Sequence, residues 1–328
     1  MKKTLENLIQ YKSLSCEEAR EVLVKISEGA YNEAQIAAFI TVYLMRSITV
    51  EELTGFRDAL LELCVPFDTE GMSTIDVCGT GGDGKNTFNI STLSAFVLAG
   101  AGYKVTKHGN YGVSSVSGSS NVLEHFGYQF TNDKSLLMKQ LETNNICFLH
   151  APLFHPALKS VGPIRKQLGI KTFFNMLGPL VNPARPKQQM VGVFSLELAR
   201  LYQYIFQKTA TNYSIVFGFD GYDEVSLTDD VKVKTAFSET ILSPQSFGKQ
   251  QLTQNQIFGG DTVEEAAAIF LQVLENKGTA AQRDVVVVNT ALAIQCFKQN
   301  VSLLDCVAEA EESLVSGKAL EKFSNFKR

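Results

Sequence analysis

At 328 residues, 45% of them hydrophobic and 20% charged, the chain has the make-up of a soluble globular protein long enough for two domains. Its net charge of −4 argues against a nucleic-acid binder, and no apolar run reaches the ~18 residues that a membrane helix requires. Six scattered cysteines without a C-x-x-C pair, and a polar start without a signal-peptide core, predict free thiols and a cytoplasmic location.

Residues 1–65 read as a series of short helices. Ser15 with Glu18, Asn32 with Gln35 and Thr49 with Glu52 have capping-box spacing, each ahead of apolar residues at helical intervals such as Leu53, Phe56 and Leu60. The middle helix carries Ile36, Phe39, Ile40, Tyr43 and Leu44 and is apolar on too many sides for a lone surface helix. It is expected to lie buried against another helix layer or a second subunit.

From residue 74 strands and helices alternate. Strands are predicted at 75–78, 103–107, 146–149, 190–194 and 214–217, and helices at 92–101, 122–126 and 196–207. Such alternation predicts an α/β fold whose central sheet is mostly parallel and covered by helices. Residues 231–237 alternate polar and apolar, as a half-exposed antiparallel strand would. Asp261 with Glu264 reads as the cap of a helix over 263–275, closed by Gly278. Residues 285–297 begin with four valines that suit a strand, but a 13-residue run favours a buried helix. The Pro- and Gly-rich stretch 178–186 is the candidate connection between domains.

Chemistry gathers in five places. Gly79-Thr80-Gly81-Gly82-Asp83-Gly84 follows a strand and bares backbone N–H groups to an anion, most often phosphate. It matches G-x-G-x-x-G, yet three details oppose a dinucleotide site. Residues 85–88 separate the glycines from the next helix, and Lys107-His108 stand where a ribose-binding acid belongs. Asp83 would also repel a pyrophosphate unless a cation lay between. Next, Asn89-Ile90-Ser91-Thr92 open a helix where amide, hydroxyls and free N–H groups can complete a phosphate site, although such residues are also the commonest N-caps.

Lys107-His108-Gly109-Asn110, followed by Ser114-Ser115 and Gly118-Ser119, sits at the C-terminal end of a strand, where open parallel sheets bind ligands. Lys107 offers a point charge and Gly109 a close backbone approach, while a lone His there is more often a hydrogen-bonding group than a catalyst. Asp223-Glu224 reads as a solvated turn or, beside two phosphate-binding elements, as a Mg²⁺ site. Residues 155–166 read as a helix bearing a cation, Arg165, suited to a carboxylate or simply to the surface.

Taken in order, GTGGDG at 79–84, NIST at 89–92, KHGN at 107–110, HPAL at 155–158, VGPIRKQLGIKTFFNMLGPLVNPA at 161–184 and DGYDEVSLT at 220–228 resemble the anthranilate phosphoribosyltransferase family. The resemblance implies a small all-helical domain over 1–70, joined by helices from about 155–180. It also implies a larger α/β domain over 71–328, of the nucleoside phosphorylase/phosphoribosyltransferase type, with the active site in the cleft between the two. Dimerisation would run through the helical domain. Phosphoribosyl pyrophosphate would meet Gly79, Gly82, Asp83, Thr87, Asn89, Ile90, Ser91, Thr92, Lys107, His108, Gly109, Asn110, Ser114, Ser115 and Ser119. Anthranilate would meet Gly79, Asn110 and Arg165, with His108 nearby as the candidate for a proton-transfer role. Ser91, Asp223 and Glu224 would hold Mg²⁺, with two ions implied.

The reaction so implied is attack of the anthranilate amine on ribose C1 with loss of pyrophosphate. One departure stands out: the family usually continues after Gly118-Ser119 with Ala-Asp, where this chain has Ser120-Asn121, and Asn121 is expected to cap the helix at Val122. Two rivals are weighed. A pyrimidine nucleoside phosphorylase would have less use for the Asp223-Glu224 pair. A non-catalytic, nucleic-acid-binding relative would be expected to lose site residues and gain basic surface.

Overall fold

The computed structural model describes residues 1–112 and 116–326. The chain forms two compact units, Met1–Phe67 with Ala151–Arg185, and Asp68–His150 with Pro186 onward. No helix among the described residues is long and apolar enough to cross a membrane.

The first unit is helical: Lys2–Ile9, Cys16–Ser27, Glu33–Met45 and Val50–Leu63, followed later by Ala151–Phe154 and Gly162–Leu168. All three capping boxes form, because each needs only two residues of one turn to bond reciprocally. Helix Glu33–Met45 buries Ile36, Phe39, Ile40 and Tyr43. Its aromatic rings pack edge-on against Phe56 and Phe173, so the apolar helix is covered from within its own unit. Leu44 and Met45, at its end, are exposed. The cation-bearing helix expected over 155–166 is broken. Pro156 opens a 3-10 turn, Pro156–Lys159, and Pro163 starts the separate helix Gly162–Leu168.

The second unit is built on seven strands: β1 Thr74–Gly79, β2 Lys104–Gly109, β3 Ile146–His150, β4 Gln188–Gly192, β5 Asn212–Gly218, β6 Val231–Lys234 and β7 Glu239–Leu242. Their order is β3-β2-β1-β4-β5-β6-β7. The first five pair in parallel, and β6 and β7 are antiparallel additions. The register sets Gly79 beside Gly192, and Gly109 beside His150. The C-terminal ends of β1, β2 and β4 thus present bare backbone along one edge. Helices Ile90–Gly100 and Ala280–Gln295 form the hydrophobic centre, with the four valines at 285–288 fully buried in helix.

Several expected starts shift for local reasons. Helix Ser119–His125 begins ahead of Val122, with Gly118 at the N-cap, and Asn121 occupies its third position. Asn121 therefore does not cap from in front; its Oδ1 accepts from the N–H groups of Gly112 (2.9 Å) and Gly118 (3.0 Å). Thr262, not Asp261, caps Val263–Leu274, accepting from Glu265 N–H, while the Asp261 N–H donates to Glu265. Thr279 with Gln282 forms a further capping box, which starts the next helix at Ala280.

Candidate active site

β1 ends at Gly79, and the chain turns through Gly81, Gly82 and Gly84 with φ of 65°, 77° and 77°. These left-handed angles need glycine. Gly79 is required for another reason: a Cβ there would run into the Asp223 carboxylate, and one at Gly192 into the Asp223 carbonyl. The two glycines let the acidic loop settle against the ends of β1 and β4. Asp223 Oδ2 then accepts from Gly81 N–H at 2.7 Å. Glu224 accepts from Ser91 N–H (3.2 Å) and the Thr87 hydroxyl (3.4 Å), at the positive N-terminal end of helix Ile90–Gly100.

Three carboxyls gather here. Burial, reinforced by the charge of Asp83, raises Asp223 to about 7. Glu224 keeps some exposed surface, but its carboxyl sits among protein atoms. Burial beside Asp223 and Asp83 holds it well above the usual carboxylate range. Asp83 is raised by burial too, against the pull of the Lys85 N–H that it accepts at 2.9 Å. Lys107 favours ionised Glu224, and Lys85 favours ionised Asp83. Lys107 is itself almost wholly buried and donates to the Val77 carbonyl at 2.7 Å. Such a cluster is short of positive charge.

Asn89 stands at the N-cap position but makes no capping bond. Its amide donates to the Ser117 carbonyl at 3.0 Å. Its Oδ1, the Ser117 hydroxyl and the Thr80 hydroxyl are buried without a hydrogen-bond partner among the described residues. Buried polar atoms rarely stay unpaired, so these three mark places for a ligand's polar groups.

The helical bundle domain of a glycosyl transferase family matches residues 2–64, and the a/b domain of a glycosyl transferase family matches 71–320. The anthranilate phosphoribosyltransferase of Christiangramia forsetii is 57% identical over 100% of this chain and 99% of its own length. That of Bacteroides fragilis is 53% identical over 99% and 98%. The chain belongs to the anthranilate phosphoribosyltransferase family. Among solved structures, the family's enzyme from Thermus thermophilus superposes with a TM-score of 0.91 at 30% identity, covering 98% of each chain. The Saccharomyces cerevisiae enzyme, in complex with PRPP and Mg, gives 0.90 at 29%, covering 98% of this chain and 95% of its own.

The remaining residues singled out from the family motifs fall as follows. Ile90 points into the hydrophobic core and its N–H donates to the Phe88 carbonyl, and Thr92 is buried on the same helix. His108 is buried, its N–H held by Asp76 at 3.2 Å. Gly109 cannot carry a Cβ, which would strike the Ser119 hydroxyl and the Phe148 ring. The Asn110 carbonyl accepts from Ser120 N–H (3.1 Å) and the Ser119 hydroxyl (3.2 Å). Ser114 and Ser115 lie outside the described residues. Arg165 belongs to the first unit, where its guanidinium lies over the Phe174 ring (5.3 Å) and donates to Asn175 at 3.4 Å. No carboxylate among the described residues pairs with it.

Four residues around the site escape sequence reasoning: Asp76, Gly192, Lys85 and Asn289. Lys85 lies over the Tyr222 ring at 4.6 Å, beside the acidic pair. Asp76 and Asn289 had a visible signal, each a polar residue inside an apolar run. Gly192 had none, because its need arises from a loop some thirty residues away.

Proposed function

We propose that this chain transfers the 5-phosphoribosyl group of phosphoribosyl pyrophosphate to the amine of anthranilate, giving N-(5-phosphoribosyl)anthranilate and pyrophosphate in tryptophan biosynthesis. The observation that carries this is the acidic pair drawn onto Gly81 N–H and Ser91 N–H, at the mouth of a glycine loop. Membership of the family supports the same reading. So do its yeast structures, one in complex with PRPP and Mg and another with 4-fluoroanthranilate.

The donor set suits Mg²⁺. Every candidate ligand, Ser91, Asp223 and Glu224, offers oxygen, and Lys107 and Lys85 compensate the buried carboxyls only in part. Among the described residues no three acidic, His or Cys side chains form a cage. A Mg²⁺ ion held here would complete its shell with water and substrate oxygens, as this ion prefers. We assign two ions to the site. When bound, Mg²⁺ neutralises the charge developing on the departing pyrophosphate.

The protein's own contribution is orientation and charge. The glycine loop and the positive N-terminal end of helix Ile90–Gly100 face the anionic substrate. The unpaired Asn89 and Ser117 oxygens accept from its hydroxyls, and Lys107 adds a fixed positive charge. Arg165, paired with no acid among the described residues, takes the anthranilate carboxylate, and Asn110 and Gly79 are assigned to anthranilate as well. The aromatic amine is neutral at pH 7 and attacks C1 as the C1–O bond to pyrophosphate breaks. No proton need leave before attack; once the C1–N bond has formed the nitrogen gives up one proton, to the departing pyrophosphate or to solvent, and His108 is given no step. A homodimer through the helical unit and a cytoplasmic location complete the reading.

The test follows anthranilate fluorescence with phosphoribosyl pyrophosphate, with and without Mg²⁺. Turnover that requires Mg²⁺ is expected. No turnover, alongside phosphorolysis of uridine or thymidine, would overturn the assignment. The double variant Asp223→Asn, Glu224→Gln should lose most Mg²⁺-dependent activity while keeping its far-ultraviolet circular dichroism. Arg165→Ala should raise KM for anthranilate by roughly 30-fold or more, from the ~2 kcal/mol or greater loss of a desolvated charged contact. A change confined to the KM for phosphoribosyl pyrophosphate would place Arg165 elsewhere.

A further inference from the structure

Helix Ala280–Gln295 is buried along most of its length, and Asn289 sits in its interior with 3% of its surface exposed. Asparagine is a poor helix former, and a buried amide is costly unless its hydrogen bonds are made. Asn289 makes three. Its Oδ1 accepts from Val225 N–H at 3.0 Å, and its Nδ2 donates to the Val225 carbonyl (2.9 Å) and the Val285 carbonyl (2.8 Å). One side chain thus engages both backbone groups of a single loop residue, as a neighbouring strand would.

That loop residue directly follows Asp223-Glu224. On the other side of the pair, the Tyr222 carbonyl accepts from Gly218 N–H at 3.0 Å, and the Asp223 carbonyl is wedged against Gly192. Downstream, Leu227 adopts a left-handed φ of 60° and its carbonyl accepts from Leu252 N–H. The acidic pair is therefore spanned by fixed backbone, with Asn289 gripping the first residue after it. Two adjacent carboxylates repel each other and their Asp83 neighbour, so something must hold them in place. A helix that needed only packing would be served better by leucine, since a buried amide adds little net stability.

We propose that Asn289 is a positioning residue for the Asp223 and Glu224 carboxylates: by fixing the Val225 backbone it sets their aim, and with it the affinity for Mg²⁺ and the metal-bound pyrophosphate group. The inference rests on the Mg²⁺-dependent reading of the site. It gives the central helix a task besides filling the core, since one of its side chains organises the substrate-binding edge.

The test is calorimetric binding of phosphoribosyl pyrophosphate over a Mg²⁺ titration, without anthranilate and hence without turnover. Asn289→Asp is nearly isosteric; it keeps the acceptor for Val225 N–H but loses both donated bonds. Asn289→Leu removes all three. Both should weaken apparent Mg²⁺ affinity by at least about tenfold, the scale on which partners behind metal ligands act. KM for anthranilate should stay within about twofold of the unsubstituted protein by the same reasoning, because the carboxylates, not the anthranilate contacts, are displaced. Thr290→Ala is the control. Thr290 is buried on the same helix and its hydroxyl donates to the Val286 carbonyl at 2.8 Å, with no bond to the acidic loop among the described residues, so the substitution should lower Tm without moving Mg²⁺ affinity.

Asn289→Asp with a lowered Tm and unchanged Mg²⁺ affinity would overturn the proposal. No Mg²⁺-dependent binding in the unsubstituted protein would overturn the functional reading and this inference together, a result distinct from the first. A second measurement needs no variant. The Val225 amide should exchange slowly with solvent, and more slowly still with Mg²⁺ and phosphoribosyl pyrophosphate bound; a fast-exchanging amide would refute the clamp.

Discussion

Ser120 and His150 illustrate what a single side chain does near the site. Ser120 Oγ lies 3.0 Å from His150 Nδ1, both residues are buried, and the Phe130 ring stacks on the imidazole at 4.2 Å. Burial lowers the His150 pKa, with Glu124 pulling the other way, which favours the neutral ring in its hydrogen bond with the serine hydroxyl. Ser120→Ala would strand Nδ1 in a buried setting and should cost ~1–3 kcal/mol. Ser120→Ala combined with His150→Phe should recover most of that in urea denaturation, since removing both partners is nearly neutral. An equal loss in both variants would mean the pair carries no coupling. Ser120-Asn121 was visible in the sequence as a departure from the family, but its consequence was not. The partner of Ser120 ends β3, thirty residues on, and Asn121 turned out to hold two backbone groups from inside the helix. Asp223 and Glu224 were legible only in the company of the other motifs. Asn289 is visible as a polar residue in an apolar run, but its task is not, because its partner is fixed by tertiary packing across the unit.

Some elements whose signals lie within one turn are legible in the chain, although Asp261 with Glu264 suggests a cap that Thr262 makes instead. The boxes at Ser15, Asn32 and Thr49 all form, because donor, acceptor and spacing are local. β7 was missed: Glu239, Thr240 and Ile241 are all exposed on this edge strand, so no alternating pattern records it. Helix Lys134–Asn144 also went unread, although Asp133 caps it. The boxes look alike in sequence but differ in weight. Glu18 is exposed, whereas Glu52 is fully buried, accepts from Leu14 N–H (2.9 Å), Thr49 N–H (3.0 Å) and the Tyr43 hydroxyl (3.2 Å), and pairs with Arg46. Its single carboxylate joins the turn before the second helix to the third and fourth. Glu52→Gln leaves Arg46 as a buried, uncompensated charge and should cost ~3–5 kcal/mol. Glu18→Gln, in an exposed box, should cost about 1 kcal/mol or less. Urea denaturation of the two variants side by side checks the contrast; equal losses would mean that the boxes act only as local caps.

At the scale of the whole molecule, two compact units need not share one stability, and acid should separate them. In the first unit His155 is 2% exposed. Burial pushes its pKa down to about 4, against the favourable pull of the Val181 and Leu60 backbone. Its unfolded value is about 6.5. Between these values the unfolded chain binds the proton and the folded unit does not, so stability is present above about 6.5 and drains as pH falls towards 4. From pH 7 to pH 5 the loss should be roughly 2 kcal/mol. The crowded carboxyls of the second unit carry the opposite sign. Their folded values are raised, so protonation on acidification relieves them. Hydrogen exchange, corrected for the intrinsic rate, should therefore show opening free energies falling at pH 5 in 1–67 and 151–185 but not in the second unit. His155→Gln cannot take up the proton and should flatten that fall. Uniform loss across both units, unchanged by His155→Gln, would mean that the chain opens as one cooperative body and that the buried imidazole does not set its acid limit.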